Sequence, residues 1–393
     1  MEAVVKDSNI YLEKANLLAQ EFAKDAVERD KAGGTPKVQR DKIRESGLLK
    51  LLIPKEYGGE GQPWSTVLRI VREWAKVDAS IAHLYGYHFL ALVRAHLKGT
   101  PEQKEYYYTI TAKNNYFWGN SSNPLQRTVI HKRVGNQVII NGQKNFSSGS
   151  PDSDFLLISW SDQDTNEYFN GIIPTSRKGV TVHDDWDSIG QRQTGSGTVS
   201  FEDVIVENHE ILGTSDSANS VFASINPILS QSILANVFVG SAEGAVAEAK
   251  QYTLTKSRPW YTSGVEKASE DPSTLRQYGD FWVEIQSAAS LVEKAANKLD
   301  EIWVKEFSLS EEERGECAIL VAAANVLSGR VGLDISSRIF EVTGARSTAS
   351  KYGLDRFWRN IRTHTLHNPV EYKLRNIGNW VLHQEYPKAG FYS

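Results

Sequence analysis

The residues most able to carry chemistry in this chain are its histidines, and they fall in two short runs. His83 and His88 lie in Asp78-Ala79-Ser80-Ile81-Ala82-His83-Leu84-Tyr85-Gly86-Tyr87-His88, with two tyrosines between them. His364 and His367 lie in Arg362-Thr363-His364-Thr365-Leu366-His367-Asn368-Pro369. Imidazole titrates near neutrality, so it can serve as acid, base or metal ligand, and equally as a hydrogen-bonding core group. Taken singly, each histidine reads first as structural. A two-histidine metal site fits the spacing, but no carboxylate stands in register to complete it.

Anion sites are the second possibility. Arg356, Arg359 and Arg362 would share one helical face, which reads first as an ion-paired surface between subunits and second as an anion site. Arg346, in Gly344-Ala345-Arg346-Ser347-Thr348, is the better phosphate candidate. There a glycine admits the backbone, and a guanidinium with two hydroxyls can clasp the oxygens. Lys144-Asn145-Phe146-Ser147-Ser148-Gly149-Ser150 offers hydroxyls and backbone N–H groups to a ring ligand. Trp118, in Trp118-Gly119-Asn120-Ser121-Ser122, and Trp186 add indoles in the same zone, although aromatic residues are more often core than ligand stack.

The elements that would position these residues fall in three zones: helical to about residue 113, β-rich from 114 to 213, and helical from 214 to 393. In the first, Leu12, Ala15, Leu18, Phe22 and Ala26 recur at helical steps until Gly33-Gly34-Thr35-Pro36 stops them, and Val67, Ile70, Val71, Trp74 and Val77 form a second stripe. In the middle zone Val138-Ile139-Ile140, Phe155 to Ile158, Gly171-Ile172-Ile173 and Val199-Ser200-Phe201 are short β-rich runs. Asn141-Gly142 there is a hairpin-turn signal, so the zone reads as a small antiparallel sheet or barrel. Beyond it, residues 228–256, 274–306 and 311–343 have the length of bundle helices. Asn368-Pro369 suggests a cap followed by proline at the first position of a final helix.

Composition and missing motifs narrow the chemistry. The 393 residues carry 44 Lys and Arg against 48 Asp and Glu, net −4, so no basic field points to nucleic acid. The single cysteine, Cys317, excludes an internal disulfide, a cysteine-based zinc site and an iron–sulfur cluster. No signal peptide and no run of about 18 apolar residues is evident, so the expected location is cytoplasmic and off the membrane. A dinucleotide fingerprint, a P-loop, a paired HExxH and a GxSxG elbow are all missing.

Two runs carry a family resemblance. Phe201-Glu202-Asp203-Val204-Ile205-Val206, followed by Ile211-Leu212-Gly213, resembles the end of the middle domain of acyl-CoA dehydrogenases. Ile53-Pro54-Lys55-Glu56-Tyr57-Gly58-Gly59 resembles their N-terminal helical domain. A narrower resemblance, to flavin-dependent monooxygenases of the dibenzothiophene monooxygenase kind, extends over nearly the whole chain. It is carried by Ala32-Gly33-Gly34, His83 to His88, Gln193-Thr194-Gly195-Ser196-Gly197, Ser257-Arg258-Pro259-Trp260, and Asp355-Arg356-Phe357-Trp358-Arg359-Asn360 through His367.

The resemblance implies an α+β, mainly α fold: an N-terminal helical domain (1–113), a middle β-barrel (114–213) and a C-terminal four-helix bundle (214–393), assembled as a homotetramer. It implies reduced FMN from a separate NADH-dependent reductase, and a flavin hydroperoxide that oxygenates an organosulfur heteroaromatic compound. His367, His83, Ser148, His364, Tyr87 and Asn368 would be catalytic. Asn120, Ser148, Trp186, Arg346, Ser347 and Thr348 would contact FMN, with Arg258 reaching its phosphate from a neighbouring subunit. Trp118, Phe146 and Tyr87 would wall the substrate.

The glutamate base of the dehydrogenases falls on Asn368, and an amide cannot abstract an α-proton. Pro124, Asn145, Ser147 and Asn368 depart from the monooxygenase pattern at the expected pocket. The alternatives are N- or C-hydroxylation of an amine, indole or phenol on the same fold, an acyl-CoA dehydrogenase, and a flavin-free binding protein.

Overall fold

A computed structural model describes residues 2–135, 137–214, 216–391 and 393. Helices α1 (Glu2–Phe22), α2 (Ala26–Ala32), α3 (Lys37–Ser46), α4 (Trp64–Ala75), α5 (Ala79–Leu92), α6 (Arg94–Lys98) and α7 (Pro101–Asn114) come first. Strands β1 (Trp118–Ser121), β2 (Ile130–Val134), β3 (Gln137–Lys144), β4 (Phe155–Asp162), β5 (Tyr168–Pro174), β6 (Val180–Val182), β7 (Val199–Val206) and β8 (Ile211–Leu212) follow. Helices α8 (Asn226–Thr255), α9 (Pro272–Trp303), α10 (Glu311–Thr343), α11 (Asp355–Thr365) and α12 (Val370–His383) complete the chain.

The two helical zones share one apolar core. Val67, Ile70, Val71 and Trp74, the stripe expected on one face of α4, are fully buried. They belong to the same cluster as Ile233 and Val237 of α8 and Ile335 and Ile339 of α10. Burying apolar stripes from successive helices against one another removes them from water and supplies most of the drive for this packing. Helix α10 is long and apolar enough to cross a membrane by length and composition, but 61% of its most apolar window is buried inside the protein. The sheet has a core of its own, built around Val138, Ile140, Leu156, Ile158, Ile173 and Val204.

The strands run in the order β6-β7-β3-β2-β4-β5-β8, with β1 paired to β4. The β1–β4 and β2–β4 pairs are parallel, so the sheet is mixed and not purely antiparallel as the sequence suggested. Asn141-Gly142 is no hairpin turn either. It lies within β3, where the register against β7 shifts between Ile140 and Gly142. Asn141 exchanges hydrogen bonds with Asp203 across that shift. Gly142 has φ +128°, and a Cβ there would stand 2.2 Å from the Thr128 carbonyl oxygen. The glycine therefore serves a bulge and a close approach, not a two-residue loop.

Two helix ends also differ. The first helix breaks after Phe22, well before the expected stop at Gly33. Pro369 is the cap of α12, so the first helical residue is Val370.

Helix α5 is the positioning element of the site, and every residue in it is buried. Its start is fixed by Asp78, whose Oδ1 accepts from the backbone N–H of Ser80 (2.9 Å) and Ile81 (3.0 Å). The other carboxylate oxygen receives Arg29 Nη1 at 2.6 Å. Arg29 also donates to Asp25 and to the Phe22 carbonyl. One carboxylate thus satisfies two of the orphan amides of α5 and neutralises a buried guanidinium.

Asp78→Ala should lower unfolding free energy by about 2–3 kcal/mol, combining a lost cap with a less fully paired buried cation. Asp78→Asn should recover the capping part alone. Denaturant melts of the two variants check this, and equal stability of both would contradict the double role.

Candidate active site

A cavity of about 810 Å³ opens where α5, β1, the segments after β3 and before β7, the start of α8, α11 and the C-terminal tail meet. It is of a size to hold a cofactor ring together with a small substrate. No aspartate or glutamate lines it among the described residues.

Three imidazoles face it. His83 of α5 packs on Tyr87 with ring centroids 3.9 Å apart and on His364 of α11 at 4.4 Å. Both ring nitrogens of His83 and the Nδ1 of His364 are buried without a hydrogen-bond partner in the protein. Burial, with the neighbouring His367 adding to it, pushes His83 down to about 3. Burial first, then His83 and His367, hold His364 well below the ordinary range. His367 presents an exposed face to the open cavity, yet enough protein surrounds it for burial, then the Lys373 ammonium, to push it down to about 4. At neutral pH all three are uncharged, each with one N–H to donate and one nitrogen to accept.

A chain of hydroxyls forms the facing wall. Ser148 Oγ lies 2.8 Å from Ser196 Oγ, which lies 2.7 Å from Thr194 Oγ1, and Thr194 donates to the Gln191 carbonyl at 2.9 Å. The Trp186 indole N–H donates to the same carbonyl at 2.9 Å. Phe146, at φ +58° and 61% exposed, sets its ring edge-on to Trp186 with centroids 5.9 Å apart. The Asn120 amide N–H donates to the Ser148 carbonyl at 3.0 Å, and its side-chain oxygen accepts from Ser122.

These loops are held by distant groups. Asn360 of α11 accepts the Gln191 amide at 2.6 Å. A Cβ on Gly190 would stand 2.1 Å from the Arg359 carbonyl oxygen, so only glycine allows that contact. Arg40 of α3, fully buried, donates to the carbonyls of Gly149, Pro151 and Asp152. Its Nε lies 3.2 Å from the Asp152 carboxylate as an ion contact, without the alignment of a hydrogen bond. His88 bonds the Leu49 carbonyl through Nε2 at 2.8 Å and accepts the Trp118 amide on Nδ1 at 3.2 Å, tying α5 to β1. That pair of bonds makes His88 structural.

Of the residues singled out from sequence, His83, Tyr87, Asn120, Phe146, Ser148, Trp186, His364 and His367 line the cavity. Tyr87 also pairs its hydroxyl with Ser230 at 3.1 Å. Trp118 does not line it: its indole N–H donates to Thr111 and its ring stacks on Phe155, so the expected substrate wall is a core residue. Asn368 follows His367 but stays out of the cavity, its carbonyl accepting from Lys373 at 3.0 Å.

Arg258, Arg346, Ser347 and Thr348 also lie outside it, on two turns joined by Arg346 Nη2 donating to the Lys256 carbonyl at 2.7 Å. The Ser347 hydroxyl is turned inward on Thr343 and the Gly344 carbonyl, which removes it as a contact for a flavin on that surface. Arg356 pairs with Glu248, and Arg359 with Asp30 and Asp355, all within the chain. Those two arginines therefore brace α11 internally instead of facing another subunit or an anion.

The sequence reading passed over Gln231, whose side-chain nitrogen and oxygen are both buried and unpaired at the cavity wall. Gln191, Thr194 and Ser196 carry no role from sequence alone, although Gln193 to Gly197 stands out as a run. Arg94 and Lys98 were missed, yet they extend the helical stripe begun by His83 and Tyr87, a signal open to periodicity. The orphaned nitrogens of His83 and His364, the amide of Gln231 and the Oε1 of Gln191 suit the polar edge of a flat heterocycle such as an isoalloxazine, with Trp186 and Phe146 beside it.

Comparison with known proteins places this arrangement. Residues 10–114, 119–204 and 232–372 match the N-terminal, middle and C-terminal domain models of acyl-CoA dehydrogenase. The chain is 45% identical to a probable FMNH2-dependent monooxygenase of Pseudomonas putida, covering 96% of each protein. It superposes on the methanesulfinate monooxygenase of Pseudomonas fluorescens with a TM-score of 0.95 and 48% identity, over 97% of this chain and 99% of that one. The FMN-bound dibenzothiophene monooxygenase of a Paenibacillus species gives a TM-score of 0.92 and 41% identity over the same shares.

The neutral imidazoles imply a pH signature. His88 too is pushed down to about 3, chiefly by burial. Unfolded imidazoles titrate near 6.5, so below that pH the unfolded chain binds protons that folded His83, His88 and His364 refuse. Their stabilisation is complete above pH 6.5 and is lost as pH falls, for His83 and His88 down to about 3, at roughly 1.4 kcal/mol per pH unit for each group. Denaturant midpoints at about pH 7 and about pH 5 should differ accordingly, and His83→Phe should flatten the slope. A midpoint independent of pH would mean that these imidazoles take up protons in the fold as readily as in the unfolded chain.

Proposed function

The chain belongs to the acyl-CoA dehydrogenase family, and from that premise we propose that it is a two-component monooxygenase that uses reduced FMN and O2 to oxygenate the sulfur of a small organosulfur compound. The observation that carries this reading is the wall chemistry: no carboxylate lines the cavity among the described residues, while three neutral imidazoles do. Dehydrogenation of an acyl thioester needs a carboxylate to remove the α-proton. Oxygen transfer needs hydrogen-bond donors and a dry pocket. The relatives described above point the same way.

When bound, reduced FMN would supply two of the four electrons that dioxygen takes up. Sulfur supplies the other two, one oxygen atom bonds to sulfur and the other leaves as water. His367, at the open side, donates its N–H to the oxygen that departs with negative charge, and a neutral imidazole can do so without a competing counter-ion. His364 and His83, stacked behind it, would hold the flavin ring by their unpaired nitrogens. Ser148 donates from the hydroxyl chain on the other side. Asn120 and Trp186 orient the flavin, and Tyr87 and Phe146 exclude water around the substrate.

Arg258, Arg346 and Thr348, outside the cavity of their own chain, are assigned to the flavin phosphate of a neighbouring subunit in a homotetramer. The reduced flavin comes from a separate NADH:FMN reductase in the cytoplasm.

Protein loaded anaerobically with FMNH2 and mixed with O2 and a thioether should yield a product heavier by one or two oxygen atoms. Hydrogen peroxide as the sole product across a panel of thioethers, thiophenes and sulfinates would overturn the reading. Bleaching of the oxidised flavin by an acyl-CoA would favour a dehydrogenase instead. His367→Ala should lower kcat by about a hundredfold, the usual cost of one lost donor to developing charge; unchanged kcat would remove His367 from the mechanism.

A further inference from the structure

Along the helix stripe that begins with the histidines, the cavity ends in two cations that no acid balances among the described residues. His83, Tyr87, Leu90, Ala91, Arg94 and Lys98 recur at steps of three and four residues, and all line the cavity. Val93, between α5 and α6, keeps helical dihedrals, so the stripe is continuous. At 1.5 Å per residue, Arg94 lies roughly 16 Å along the axis from His83.

Arg94 is 8% exposed. Its Nη2 donates to Asn170 Oδ1 at 3.1 Å, and its Nε has no partner in the protein. Lys98 is half-buried beside it. Among the described residues no carboxylate pairs with either, and none lines the cavity. Burial lowers Arg94, and burial followed by the Arg94 charge pushes Lys98 down to about 8, so both are cationic at neutral pH. Three other buried guanidiniums have counter-ions: Arg29 has Asp78, Arg40 has Asp152 and Arg356 has Glu248. A fourth, Arg314, donates instead to the Ser224 hydroxyl and to backbone oxygens of Ser224, Pro387 and Ser393, a set of acceptors that Arg94, bonded to Asn170 alone, does not have.

A cation taken out of water without a partner is costly, and a cavity that keeps two of them is complementary to an anion. A guanidinium edge with a free Nε–H presents a fork to two oxygens, and the lysine adds a point charge.

We propose that Arg94 and Lys98 form an anion subsite, and that the substrate is an organosulfur compound with an anionic oxo-acid head, such as a carboxylate or sulfonate, at the end away from the sulfur that is oxygenated. This rests on the monooxygenase reading and adds the class of substrate. The same two cations repel a protonated amine, which turns the site away from amine hydroxylation.

The test uses para-(methylthio)benzoate and its methyl ester, which differ in charge at the end opposite the thioether. With FMNH2 and O2, the intact enzyme should show a KM at least tenfold lower for the benzoate. Arg94→Gln and, separately, Lys98→Gln should raise the benzoate KM at least about tenfold more than the ester KM, the loss expected for a charged hydrogen bond. Equal KM values in the unmodified enzyme, or equal changes in both variants, overturn the subsite. Lys98→Gln, at the less buried position, keeps the test decisive if Arg94→Gln does not fold.

Calorimetric titration of benzoate into protein with oxidised FMN separates the two claims. Binding that weakens tenfold in the variants upholds the subsite even where neither thioether is oxygenated, in which case the monooxygenase reading falls alone. A tenfold weaker Kd for FMN itself in Arg94→Gln assigns the cations to the flavin phosphate and overturns the proposal.

Discussion

The Arg40 guanidinium is the joint on which the site depends. It is fully buried, lies 4.1 Å over the Phe117 ring, and holds the carbonyls of Gly149, Pro151 and Asp152 in the segment that follows Ser148. A loop with its carbonyls buried needs donors, and no regular element supplies them there. Burial lowers Arg40 to about 10, with the Asp152 carboxylate opposing that shift, so it stays charged. Through it, an N-terminal helix fixes a loop of the sheet, and that loop fixes Asn120 by a backbone bond and Ser148 by its place in the hydroxyl chain. Lysine would not replace it, because one ammonium lacks the planar fork that reaches three carbonyls.

The same principle, polar groups buried in matched sets, holds the elements that frame the cavity and is suspended at its wall. Asp78 serves both α5 and Arg29. His88 has both ring nitrogens bonded. At the cavity wall, by contrast, His83, His364, Gln231, Gln191 and Arg94 carry unpaired polar atoms. Native folds leave few such groups, and a cluster of them marks a surface shaped for something other than the chain itself. The imidazoles stay neutral because burial disfavours their charged form and no acid offsets it. At the other end the guanidinium cannot shed its proton at neutral pH, so the charge remains and asks for an anion.

Much of the architecture was legible in residue order. The stripes of α4 and of the long C-terminal helices, and the β-rich runs between them, show in periodicity because burial selects apolar residues at helical and alternating spacing. Asn141-Gly142 misled for a definite reason. The dipeptide tolerates the backbone of a tight turn, and equally that of a bulge beneath a neighbouring carbonyl, and only the strand partners decide between them. Trp118 misled because an indole beside a polar loop fits a substrate wall and a core equally well, until Thr111 and Phe155 are seen to enclose it.

What residue order determined by itself was the class of element, the lack of local nucleotide and metal motifs, and the two histidine runs that face the cavity. The tertiary structure alone decided which hydroxyls join Ser148, that His83 and His364 stack with both nitrogens of the first and Nδ1 of the second unpaired, and that Arg94 has no counter-ion among the described residues. Those facts depend on contacts between residues tens to hundreds of positions apart. The last of them depends on which carboxylates are missing from a small volume, and no spacing along the chain records such an absence.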